Sequence, residues 1–440
     1  MATAAAGSGQ AQTSAVTGAR LDSEYKAIGY DNTPTANPVA RLFERLKTGD
    51  AKLDYKGGHG YLESLLKALD IDPDSQILVY SKTSLQYPHI TARTPRAIYF
   101  NDDTYVGWVQ GTTVVEIATT DDKLGTVFYT LDNEPNPSRL YERQTSRCTA
   151  CHDTYGNMGG GVPELLVRST IVNVDGEKLR ENYVLGNTSD DTPFKVRWGG
   201  WYVTGQSGSQ THLGNMLIKE GDDASDLDAD RHTDIDSLDE LGFFDTRPYL
   251  RPTSDIVALM TLEHQLTVHN RITYVKFKAP VVLARMGHPE AAAAQSWDAL
   301  PPDSQRVLTR MLNNLVQSML FVDAVKLTDP ISGSPAFKAR FEALGPRDAE
   351  GRSLRDFDLK TRLFRHRLSF LVYSEAFDTL PPYARDYVYR QFARILEGRD
   401  KSDTYAYLSD EERRETLDIL AATKPDFRAY ISTRLSAASK

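Results

Sequence analysis

Cysteine is nearly absent from this chain: 440 residues contain two, Cys148 and Cys151. A scaffold stapled by several disulfides is excluded, and so is a zinc site built from four thiolates. An excess of basic residues is also missing. The formal net charge is −9, which argues against a nucleic-acid binder. No uncharged apolar run approaches the ~20 residues of a membrane-spanning helix, so no membrane span is expected. Residues 1–20, "MATAAAGSGQAQTSAVTGAR", lack groups whose burial would offset their ordering entropy. They read as a disordered leader, what remains after a signal was removed or replaced. What the chain does have is 40% apolar content, enough at this length for a sizeable core in two domains or one large one.

The two cysteines stand three apart in "SRCTACHDTY", residues 146–155, with His152 directly after the second. Thiols at i and i+3 lie on one side of a helical turn, where they reach the two vinyl groups of one haem. The adjacent imidazole then falls under the iron. Other chemistries fit less well. Zinc wants further nitrogen or sulfur ligands, and no second cysteine pair exists. A redox dithiol should follow a buried strand, whereas "PSRLYERQTSR", residues 137–147, is polar. A disulfide across two intervening residues would close a tiny loop and contribute little.

In this motif the chain resembles the c-type cytochromes, with Cys148 and Cys151 as thioether attachments and His152 as proximal iron ligand. The resemblance spans Cys148–His152 only. The layout is unlike a small class I cytochrome and closer to large single-haem proteins of bacteria, because the segment after His152 is strand-like. The resemblance implies one covalent haem c, attachment and residence outside the cytoplasm in the periplasm, and redox chemistry with a partner protein.

Along the chain three zones follow one another. Residues 37–70 read as helices, with "PVARLFERL" and "GYLESLLKALDI" spacing apolar residues by three and four. Residues 76–131 switch to short β-rich runs, "QILVYS", "RAIYFND", "TYVGWVQ", "TVVEIATT" and "GTVFYTL", with "NDD" suited to a tight connection. Strand-like runs continue at "ELLVRSTIVNV" and "FKVRWGGWYVTG". From Thr253 the chain turns helical, and Ser409 with Glu412 forms a capping box. The expected class is α+β, with an antiparallel sheet beside the haem motif. Residues 21–252 form a helical entry plus a β-rich haem region, and residues 253–440 form a helical region.

The far face of the iron decides between carrier and catalyst. In "SDIVALMTLEHQLTVHNRITY", residues 254–274, Ser254 is a candidate N-cap, and Ile256, Leu259, Met260, Leu266 and Tyr274 share one helical face. Glu263 and Asn270 lie within that face, where a glutamate must be paired, protonated or functional. His264 and His269 flank it about 140° apart, so one at most points readily at the iron. His269 is the first choice as distal ligand, with Asn270 beside it to hold its ring or a bound ligand. His264, with Glu263 beside it, is the second. Met216 is an alternative by spacing, His212 shares its loop, and Met158 is too close to His152 to cross over. A core helix whose polar groups satisfy one another is the competing interpretation.

Two weaker features complete the inventory. Residues 220–240 are strongly acidic, and Asp226, Asp228 and Asp230 begin like a calcium loop. Arg231 and Ser237 stand where a glycine and a closing glutamate belong, so an EF-hand is not expected. The stretch suits a solvated loop or a docking patch for a basic redox partner. Trp198 and Trp201 in "RWGGWYVTG" suit packing against the haem or a bend in an aromatic core. The expected function is electron transfer through a six-coordinate haem. The alternatives are a haem enzyme of peroxidase or oxygenase type, with Glu263, His264 or His269 moving protons, and a binding domain stapled by haem.

Overall fold

The β-rich runs are separated by turn residues, and they pair in simple sequence order. The computed structural model describes residues 25–26, 28–153, 161–178, 184–219 and 234–438. The leader at 1–20, Met158, and Asp226, Asp228, Asp230 and Arg231 of the acidic stretch lie outside them. Strands β1 (Ile77–Val79), β2 (Arg96–Phe100), β3 (Thr104–Val109), β4 (Val114–Asp121), β5 (Gly125–Asp132) and β6 (Tyr141–Gln144) form one antiparallel meander. The "NDD" connection turns β2 into β3, where Asn101 Oδ1 accepts from the Asp103 and Thr104 amides at 3.2 and 2.9 Å. A second sheet pairs β7 (Val167–Thr170) with β8 (Val184–Thr188).

Alternation gives the six-stranded sheet two apolar faces. Tyr99, Val106, Trp108, Ile117, Tyr129 and Leu131 pack on helices α1 (Pro38–Thr48) and α2 (Leu62–Ala68). α1 starts cleanly because the Asn37 side chain accepts from the Ala40 amide and Pro38 occupies its first turn; Gly49, at φ 81°, ends it. On the other face Phe100, Tyr105, Ala118 and Phe128 join the core built around helix α4 (Ile256–Arg285). The helical half continues with α5 (Pro302–Met319), α6 (Pro335–Ala343), α7 (Glu375–Asp378), α8 (Pro382–Leu396), α9 (Asp410–Thr423) and α10 (Pro425–Ala438). α9 opens on the expected Ser409–Glu412 capping box. The class is α+β, and one hydrophobic cluster spans sheet and helices. Among the described residues no helix is long and apolar enough to cross a membrane.

Three local expectations change. Asp255, not Ser254, caps α4, its carboxylate accepting from the Ala258 amide at 2.7 Å. Ser254 is instead drawn into the sheet, donating to the Tyr202 carbonyl and accepting from the Leu78 amide. α4 also runs past Tyr274 and through Pro280 to Arg285. The stretch 194–205 is no regular strand. It holds a short 3-10 turn at Phe194–Val196, and Trp198 takes a left-handed φ of 68°, which breaks the pleat. Gly200, at φ 82°, then passes so close to Ser81 and the Thr170 carbonyl that a Cβ would collide with both.

Candidate functional site

Edge strand β6 delivers the chain to the cysteine pair. Beyond it, Thr149 is fully buried and its hydroxyl donates to the Thr145 and Ser146 carbonyls at 3.1 and 3.0 Å. The single turn α3 (Thr149–His152) forms there, with the His152 amide on the Cys148 carbonyl at 3.0 Å. This turn puts both cysteines and His152 together. The two thiols are unbonded to each other; Cys151 is exposed and Cys148 half-buried against the core. Burial, with Glu116 nearby, pushes the Cys148 thiol up to about 12. It is therefore a neutral thiol, the opposite of the depressed thiolate of a redox dithiol.

The absence of a strand ahead of the cysteines, used above against a dithiol, does not hold. β6 pairs with β5 despite its polarity, because as an edge strand it needs to bury only one side. What weighs against the dithiol is the raised Cys148 pKa and the shortness of α3.

His152 is the most closely determined of the three. Its ring lies 4.7 Å from the Phe128 ring, and Nδ1 contacts the Glu164 carbonyl oxygen at 2.7 Å. A carbonyl only accepts, so Nδ1 carries the ring proton and Nε2 keeps its lone pair. Nε2 has no hydrogen-bond partner among the described residues. Burial pulls the imidazole pKa below its ordinary value, with Arg96 and Arg168 adding to the effect, so the ring is neutral and able to ligate. Arg96 reaches Glu116 at 2.7 Å by lying across Gly107, where any Cβ would meet its guanidinium.

The α4 residues separate sharply. His264 has both ring nitrogens occupied: Nδ1 meets Asp190 Oδ2 at 2.7 Å and Nε2 meets Ser369 Oγ at 2.8 Å, with Phe321 stacked on the ring. It has no nitrogen left for iron. The order serine, histidine, aspartate is that of a hydrolytic triad. Here, though, Ser369 has no exposed surface and its Oγ also caps the turn Phe370–Tyr373, while the Asp190 carboxylate is the part facing out. A nucleophile so placed meets no substrate.

Glu263 is likewise committed. It accepts from Arg197 Nη1 and Trp198 Nε1, each at 3.0 Å, and from the Thr188 hydroxyl. This is the paired case among the three open to a buried glutamate, and it explains the left-handed Trp198: the indole is turned inward to Glu263. Trp201 Nε1 donates to the Arg168 carbonyl.

His269 differs from both. Nδ1 contacts the Tyr105 hydroxyl at 2.7 Å, while Nε2 is buried with no hydrogen-bond partner. Burial lowers its pKa to about 3. Cross-strand register sets Tyr105 beside Ala118 and Ala118 beside Phe128. His269 on Tyr105 and His152 on Phe128 therefore stand over the same sheet face, with only the Ala118 methyl between the two aromatic positions. Met216 lies in a separate small cluster with Ile171, Leu213 and Ile218. His212 is buried against Trp198, its Nδ1 accepting from the Gly214 amide; its Nε2 is also buried without a hydrogen-bond partner, but as the proton-bearing nitrogen it has no lone pair for a metal. Asn270 contacts neither histidine; it holds the backbone of Leu165. Glu164 acts through its backbone, and nothing in the sequence marks it. Tyr105 and Phe128 carried a signal as inward positions of alternating strands.

No family model, no curated protein and no solved structure matches the chain. Among the described residues no group of three or more His, Cys, Asp and Glu side chains is placed to hold a metal ion. The expected kinship with c-type cytochromes is corrected accordingly. The likeness is confined to Cys148–His152 and does not extend to a fold or a ligand cluster.

Proposed function

We propose that Cys148 and Cys151 would hold one haem through their thiols, that His152 and His269 would supply Nε2 to its iron, and that the protein transfers electrons outside the cytoplasm. The proposal rests on this chain's own geometry and on no relative. Its carrying observation is the His152 ring, fixed by the Glu164 carbonyl, with Nε2 making no hydrogen bond among the described residues, beside two unbonded thiols. When bound, the haem supplies a one-electron couple at iron. The chain's residues do the rest. The Glu164 carbonyl holds the His152 tautomer, and Tyr105 orients His269, whose buried Nε2 is the donor set's other unmatched atom. A chain with one cysteine pair suits an oxidising compartment, where each added thiol would be a further partner for mispairing. Its net charge of −9 suits a basic redox partner.

The second reading, a haem enzyme using Glu263 as acid–base group, is weaker. Glu263 is held by three donors and is fully buried in the core, out of reach of a substrate. The spectrum in both oxidation states separates the two. The ferric protein is expected to be low-spin, and His269→Ala to turn it high-spin and open it to cyanide and carbon monoxide. His264→Ala should leave it low-spin. A high-spin wild type that turns over peroxide transfers the case to the enzyme reading, and a protein without haem removes both.

A further inference from the structure

We infer that Asn270 is a positioning residue for His152, acting across the backbone of Glu164 and Leu165; the inference rests on the reading of His152 as iron ligand. Asn270 is 2% exposed in the middle of α4. Its carboxamide pairs with one backbone residue in both directions. The Leu165 amide donates to Oδ1 at 2.9 Å, and Nδ2 donates to the Leu165 carbonyl at 2.8 Å. One residue earlier the same pattern points the other way. The Glu164 amide donates to the His152 carbonyl at 2.8 Å, and the Glu164 carbonyl accepts from His152 Nδ1 at 2.7 Å.

Residues 163–166 have no helix or strand of their own, so what they bond to sets their place. Leu165 is buried, and without Asn270 its amide and carbonyl would both lose their partners there. The side chain must offer an acceptor and a donor side by side. Serine and threonine hydroxyls cannot bridge both groups, and aspartate offers no donor. Asn270 thus ties the helical half to the tautomer of His152. A firm Nδ1–H bond raises the basicity of Nε2 and strengthens it as a ligand.

The test compares wild type, Asn270→Ala, Asn270→Asp and Leu266→Ala. One readout is the His152 tautomer by nitrogen-15 NMR of labelled imidazoles; the other is the midpoint potential of the haem-loaded protein. Asn270→Ala is expected to mix the tautomers and raise the potential. Asn270→Asp, which keeps the acceptor for the Leu165 amide, should fall between. Leu266→Ala removes buried volume from the same helix and should lower stability without moving either readout. If Asn270→Ala fails to fold, Asn270→Asp decides alone. Tautomer and potential unchanged in the asparagine variants, or moved equally by Leu266→Ala, overturn the inference. A wild type that carries no covalent haem defeats the proposed function instead, while the tautomer readout still judges Asn270.

Discussion

His152 and His264 are oriented alike and differ at one atom. Each has Nδ1 on an oxygen at 2.7 Å. His264 Nε2 is closed by Ser369 and the ring is stacked on Phe321, whereas His152 Nε2 has no hydrogen-bond partner among the described residues. The first ring belongs to a satisfied buried network that runs through Asp190 and Arg197 to Glu263. The second sits at the mouth of a cysteine turn. A buried histidine with a well-held Nδ1 is therefore no sign of a ligand by itself. The state of Nε2 separates these two rings, although it is no mark of a ligand alone, since His212 and His366 also bury an Nε2 without a hydrogen-bond partner.

The strongest way to break this division is at Glu263. Glu263→Ala leaves Arg197 buried and unpaired, and removing one partner of a buried ion pair costs about 3–5 kcal/mol. Urea unfolding should show that loss with no change in haem content. A loss below about 1 kcal/mol would mean that the network is not the stabilising element it is taken for here.

Next in size is the contrast between the two histidines. His264→Ala removes one buried and one part-buried hydrogen bond and leaves a cavity, at about 2–4 kcal/mol. His152→Ala, from a half-buried turn, should cost roughly 1 kcal/mol while turning the iron spectrum from low-spin to high-spin. Equal stability losses, or a spectral change in His264→Ala, would erase the distinction.

The smallest effect concerns pH in the haem-free chain. Burial lowers the His269 pKa to about 3 in the folded chain against its ordinary 6.5, so the unfolded chain binds the extra proton between those values. Its contribution is fully present above pH 6.5 and declines as pH falls toward 3, by roughly 1.4 kcal/mol per pH unit at most. His269→Leu should flatten the acid limb of stability against pH by about one proton. An unchanged slope would show that His269 does not remain buried and neutral in the folded chain.

Strands β1 to β5 were legible because β-rich runs from "QILVYS" to "GTVFYTL" are separated by turn residues, whereas the polar β6 was not. The cysteine turn was legible because three side chains adjacent in sequence act together. The rest depends on contacts distant in sequence. Asp190 and Ser369 close His264 from segments far from α4, and no periodicity announces them. Glu164 works through a carbonyl that any residue would supply. The strand-like look of "FKVRWGGWYVTG" misled because its aromatic content reflects burial, while Trp198 leaves the pleat to reach Glu263.

The central claim is that Cys148 and Cys151 are haem attachment points. The most direct measurement is the intact mass of the chain, purified from a host that attaches haem outside the cytoplasm and then denatured in acid. The account predicts the mass of the polypeptide plus one haem, with the addition lost when both cysteines are replaced by alanine. A denatured chain at the bare polypeptide mass, its thiols free or joined to each other, would contradict it.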